Sequence, residues 1–150
     1  MSCFPDTSFL CALYRTQVNS PKADQYMASL SGSLGVSSLL LLEFRQSVRL
    51  QIHLHLHDRT KGFTQAEGHQ MLNDFQIDLN AGLFTTTPVD WAAVHQRAEA
   101  LSSAHTLAAG HRLADLLHVA TALHLGAADF LTFDGNQKKL AEAEGLMVPV

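Results

Sequence analysis

Short apolar stretches alternate along this chain with longer segments of helical periodicity, which restricts the fold to an α/β class with a mainly parallel sheet. The stretches that read as strands are Ser2 to Pro5, Gly35 to Ser38, Leu83 to Thr86, Asp129 to Phe133 and Met147 to Val148. Helices fill the gaps. Thr7 or Ser8 is placed to cap the first, Ser20-Pro21 opens a second in the order cap then proline, and Thr64-x-x-Glu67 has the form of a capping box. Pro88 precedes a helix expected over Val89 to His105, and Gly145 follows one expected over Lys138 to Glu144. A length of 150 residues predicts one domain, 1–150, with one core.

The segment Val48 to His57 can be read in two ways. Its apolar and polar residues alternate almost perfectly, the pattern of a half-buried strand. Val48, Ile52 and Leu56 also recur at i, i+4 and i+8, which fits a helix from about Leu39 to His57 with that stripe on the core. Leu50 and Leu54 would then form a second apolar stripe, and a helix with two such faces needs covering on both.

Four acidic residues stand where apolar segments end or turn. Asp6 follows Cys3-Phe4 and opens Asp6-Thr7-Ser8-Phe9-Leu10, Glu43 follows Leu39-Leu40-Leu41-Leu42, Asp115 lies near the start of an apolar helical stretch, and Asp134 ends Asp129 to Phe133. A carboxylate in such a place is costly unless water, a hydrogen bond or a cation compensates it. Together they would make a pocket of hard oxygen ligands suited to Mg²⁺ or Mn²⁺. Each also has a plainer reading: Asp6 and Asp134 as helix caps, Glu43 as the first outward polar residue of its helix. Asp6 and Asp134 sit at the carboxyl ends of strands, where parallel α/β sheets place their sites. Thr7 and Ser8 can orient the Asp6 oxygens, and Thr132 shares a strand face with Asp134. His118, three residues after Asp115, reads as a hydrogen-bonded core or boundary histidine. His53, His55 and His57 complete no zinc signature and read as a solvated face.

Charge and cysteine content narrow the classes further. The net charge of −4 argues against holding nucleic acid by bulk charge alone. Setting the four acids aside leaves ten Asp and Glu against ten Lys and Arg. Cys3 and Cys11 have no CxxC spacing and read as small core residues in a reducing compartment. No apolar run approaches the roughly 18 residues a membrane span requires, and the N-terminus lacks a signal-peptide pattern. The expectation is a cytoplasmic protein with no membrane association.

The chain resembles the PIN domain family of metal-dependent ribonucleases, especially the VapC-type toxins of bacterial toxin–antitoxin pairs. The resemblance rests on Asp6-Thr7-Ser8-Phe9-Leu10, on Glu43 after its apolar run, on Asp115-Leu116-Leu117-His118-Val119-Ala120-Thr121-Ala122-Leu123, and on Phe130-Leu131-Thr132-Phe133-Asp134 with the Gly-Asn-Gln-Lys-Lys that follows. It implies a three-layer α/β/α fold in which Asp6, Glu43, Asp115 and Asp134 gather one or two Mg²⁺ or Mn²⁺ ions, and it makes Glu43 to about His57 helix. By the same resemblance Asp6 and Asp115 are direct ligands, while Glu43 and Asp134 complete the shell or polarise the attacking water. Arg112, Lys138 and Lys139 are the few basic residues expected nearby. The implied substrate is RNA; the implied partners are a cognate antitoxin and a second copy of the chain. A non-catalytic RNA-binding or interaction module on the same fold is the alternative. A phosphatase fits less well, because the second aspartate and downstream lysine of the aspartyl-phosphate enzymes are missing.

Overall fold

The computed structural model describes residues 2–150. The chain runs β1 (Cys3–Pro5), α1 (Thr7–Tyr14), α2 (Ser20–Ser29), β2 (Leu34–Val36), α3 (Ser38–His57), α4 (Gln65–Asn80), β3 (Phe84–Thr86), α5 (Trp91–Leu101), α6 (Leu107–Ala109), α7 (Leu113–His124), β4 (Asp129–Leu131) and α8 (Gly135–Ala143). A π-helical turn, Ser102–Thr106, joins α5 to α6. β1 pairs in parallel with β4, and β2 in parallel with β3. The two pairs meet where β1 lies against β2. This is the three-layer α/β/α arrangement, with α1 packed on α2, α3 and α4, and α7 on α5 and α8.

All strands are three residues long, so several expected strands are trimmed. Thr132 and Phe133 fall outside β4, and the strand expected at Met147 to Val148 is a single parallel bridge from Met147 to Asp129. Sheet of this length is held by burial on both faces. Phe4, Leu34, Val36, Phe130 and Leu131 are wholly buried and join Phe9, Leu10, Phe44 and Phe75 in one core.

The alternating segment is helix. Ser37 caps α3 by accepting from Leu40 N at 3.1 Å, and the helix buries Leu40, Leu41, Phe44, Val48 and Ile52, a stripe that repeats every four residues after the first turn. A strand would have buried every second residue, but Leu50 is 47% exposed. The core stripe also ends earlier than expected: Leu56 is 67% exposed, because α3 runs past the edge of the core in its last turn.

Caps explain most helix starts. Thr64 and Glu67 form the capping box of α4, and Asp90 rather than Pro88 sets the start of α5. Asn19 takes the cap position of α2, while the Ser20 hydroxyl donates to Ala12 O at 2.7 Å. Asp6, not Thr7 or Ser8, caps α1. Gly145, at φ 88° after α8, takes the left-handed conformation that glycine adopts at least cost.

Candidate active site

Three of the four acids sit at helix N-termini. Asp6 caps α1 by accepting from Phe9 N at 2.9 Å, Asp134 caps α8 by accepting from Gln137 N at 2.8 Å, and Asp115 lies in the first turn of α7. Amide dipoles favour negative charge at each place. Capping and ligation are therefore compatible uses of one carboxylate. The Asp134 cap engages Oδ1 and leaves Oδ2 without a partner among the described residues.

All four acids line one cleft of about 470 Å³, together with Thr7, Ser8, Arg112 and Gln137. Hydroxyls set their orientation. Ser8 Oγ donates to Asp6 Oδ1 at 2.7 Å and Thr132 Oγ1 to Asp6 Oδ2 at 2.6 Å. Thr132 also accepts from Asp134 N at 3.0 Å, so one buried hydroxyl links two of the acids. Thr7 Oγ1 donates to Glu43 Oε1 at 2.7 Å. Arg112 Nε meets Asp115 Oδ2 at 3.4 Å from the exposed rim.

Two residues join this network that the sequence left out of it. His118 Nε2 lies 2.9 Å from Glu43 Oε2, and Gln137 Nε2 donates to Asp115 Oδ1 at 3.1 Å. The i, i+3 spacing of Asp115 and His118 carried the first signal, since it puts both on one side of α7. Gln137 carried none, because its burial comes from docking α8 against α7. Thr121, next in that series, turns back to Leu117 O. Lys138 and Lys139 do not line the cleft, whereas Arg15 does.

The electrostatics separate the acids. Burial pushes the Asp6 carboxyl up to about 6 against the hydrogen bonds from Thr132, Ser8 and Phe9. Burial also acts to raise Glu43, but the His118 and Thr7 bonds outweigh it and hold that carboxyl below its ordinary value. Burial raises the Cys11 thiol on the cleft wall to about 11, which keeps it from acting as a thiolate.

The family model for the PIN domain matches residues 3–143. The chain belongs to the PIN domain family. Solved structures align over almost its full length. Mycobacterium tuberculosis VapC20, described as a toxin that cleaves the sarcin-ricin loop, is 19% identical with a TM-score of 0.66, covering 99% of this chain and 98% of that one. A toxin–antitoxin complex from Klebsiella pneumoniae gives 15% identity and a TM-score of 0.62 over 100% and 98%. FitAcB from Neisseria gonorrhoeae gives 18% and 0.60 over 97% and 95%. At these identities the likeness is one of fold. No curated protein matches the sequence.

The PIN fold gathers the acids into one cleft but not onto one point. Among the described residues, no three His, Cys, Asp or Glu side chains are grouped closely enough to hold a metal ion. Each acid is turned toward a partner in the chain. The donor set nonetheless suits a hard divalent cation: four carboxylates in one cleft, beside a buried Gln137 Oε1 that has no hydrogen-bond partner among the described residues.

Proposed function

We propose that this protein is a metal-dependent endoribonuclease and the toxin of a type II toxin–antitoxin pair. The observation that carries the reading is that four separate elements deliver Asp6, Glu43, Asp115 and Asp134 to one cleft. Such a concentration of negative charge opposes folding unless a cation neutralises it. PIN family membership supports hydrolysis of phosphodiester bonds.

In this reading Asp6 and Asp115 bind Mg²⁺ or Mn²⁺ directly, and Glu43 and Asp134 complete the shell or orient the attacking water. A divalent cation held there neutralises charge on the phosphate and lowers the pKa of water. The chain's own groups do the positioning. Thr132 and Ser8 fix the Asp6 oxygens, Thr7 and His118 fix Glu43, and Gln137 ties Asp115 to the start of α8. Gln137 Oε1, which has no partner among the described residues, offers an acceptor for a water proton. Arg112 at the rim supplies positive charge for an RNA phosphate.

A cognate antitoxin and a second copy of this chain are the proposed partners, in the cytoplasm. The toxin–antitoxin descriptions of structural relatives favour the antitoxin. Among the described residues no helix is long and apolar enough to cross a membrane. The proposed contact surface is the face of α3 that carries Leu50, which is exposed, and Leu54, which is half-buried, with the exposed Leu42 and Leu56 beside them.

The test incubates the purified protein with mixed cellular RNA and Mg²⁺ or Mn²⁺, beside Asp6→Asn and Asp115→Asn. Cleavage that needs the metal and disappears in both variants supports the reading. Cleavage persisting in Asp115→Asn refutes it.

A further inference from the structure

The C-terminal part of α3 carries a pair of histidines that the cleft does not use. Leu50, His53, Leu54 and His57 fall at i, i+3, i+4 and i+7, so they form one stripe along the end of the helix. None of the four lines the cleft. Both histidines are exposed, and their rings lie side by side with centroids 4.3 Å apart.

The pair is prepared for a metal. His57 Nδ1 lies 2.9 Å from His53 O, and because a carbonyl oxygen only accepts, this nitrogen carries the proton. The lone pair of His57 is then on Nε2, across the ring from the main chain. A backbone carbonyl that holds Nδ1–H in this way orients an imidazole for ligation through its other nitrogen. The bond uses only the main chain of His53, and no other hydrogen bond among the described residues engages the His53 ring. Two histidines four residues apart on a helix can reach one ion. The place also suits a cation, since α3 ends at His57 and a helix C-terminus carries partial negative charge. His55 stands apart from the pair, with its Nδ1 donating to Lys61 O at 3.0 Å.

Two imidazoles are half of a tetrahedral shell. Among the described residues no third His, Cys, Asp or Glu is grouped with them, and the adjacent Asp58 is engaged by Thr60 and Lys61. The other members of the stripe are apolar: Leu50 is exposed and Leu54 half-buried. One occupant answers both needs, because a second copy related by a twofold axis brings the same two imidazoles and the same leucines. We propose that His53 and His57 form half of a site for a borderline transition ion of the Zn²⁺ class, completed by the same pair from a second copy. Imidazole nitrogen selects this class over Mg²⁺, so the site is chemically separate from the acids of the cleft. The inference does not rest on the ribonuclease reading, and it makes the association of two copies depend on a metal.

The test titrates ZnCl₂ into the chelator-stripped full chain, with Mg²⁺ in excess to compete for the cleft acids. Calorimetry reads the stoichiometry and sedimentation reads the mass. One Zn²⁺ per two chains is expected, with a doubling of mass that excess EDTA reverses. His53→Gln and His57→Gln should each weaken Zn²⁺ binding about tenfold or more and abolish the doubling, whereas His55→Gln leaves both unchanged. Both ligands are exposed, so the variants keep the fold, which melting in EDTA checks. Absence of Zn²⁺ binding, or one ion per chain with no change in mass, overturns the shared site. Binding that survives in both variants puts the ion elsewhere and overturns it equally. A doubled mass that persists in EDTA overturns the dependence of association on metal.

Discussion

His118 Nε2 lies 2.9 Å from Glu43 Oε2, tying α7 to α3 through a side chain that is only 1% exposed. The carboxylate can only accept, so the imidazole nitrogen carries the proton of this bond. His118→Leu removes that donor and leaves Glu43 partly buried without it. The expected cost is about 1–3 kcal/mol, read from urea unfolding in EDTA. Unchanged stability would mean that solvent replaces the bond without loss.

Asp6 makes stability depend on pH in the direction opposite to most paired carboxylates. Its carboxyl rises from 3.8 unfolded to about 6 folded, so the folded state holds its proton more tightly. The contribution to stability is full below about 4 and is lost as pH rises through about 6. Asp6→Asn should remove this loss and stabilise the metal-free protein above pH 7 by up to about 3 kcal/mol. The Asn carbonyl can still accept from Phe9 N, and the Thr132 hydroxyl can turn toward Ser8 Oγ, 3.4 Å away. Unfolding curves at pH 5 and pH 8 check the sign; no gain at pH 8 refutes it. Glu43 acts the other way. Its lowered carboxyl stabilises above its ordinary value and loses that effect as pH falls.

Divalent cations should raise the melting temperature, and more at pH 8 than at pH 5, because protons compete for Asp6. Asp115→Asn is expected to cut both this thermal shift and RNA cleavage, the latter by about a hundredfold or more. Calorimetric melts with Mn²⁺ beside single-turnover assays give the two readings. Equal shifts in the two proteins would show that the cation binds elsewhere.

Gly62 lies at φ 59° with its Cα facing the Gln51 carbonyl. Gly62→Ala adds a left-handed strain and a clash with backbone, and should destabilise by about 2 kcal/mol or more. Denaturant titration measures it.

Replacing His53, His55 and His57 together with Gln should leave metal-dependent cleavage unchanged. His53 lies about 15 Å along α3 from Glu43. None of the three lines the cleft, and His57 Nδ1 is occupied by His53 O at 2.9 Å. A collapse in rate with the fold intact would put the reaction somewhere else.

The sequence by itself determined the alternation of elements, the four acids and the hydroxyls that serve them, because those signals are local: an acid after an apolar run, a hydroxyl one or two positions away, a cap at a helix start. It left the plain and the chemical readings of Asp6 and Asp134 as rivals. In the structure both are caps: the Asp134 cap engages Oδ1 alone, whereas Asp6 is bonded at both oxygens, Oδ1 by Phe9 N and Ser8 and Oδ2 by Thr132. Local pattern alone also left Val48 to His57 undecided, because apolar alternation and a four-residue repeat coexist there. Tertiary packing chose the helix by burying Phe44, Val48 and Ile52, and it left Leu56 in solvent where the core ends. Only the tertiary structure brought His118 to Glu43 and Gln137 to Asp115, and set Arg15 and Gln51 along one cleft. Those contacts depend on how α1, α3, α7 and α8 dock, and docking is set by the shape of the shared core, which no short stretch of sequence contains.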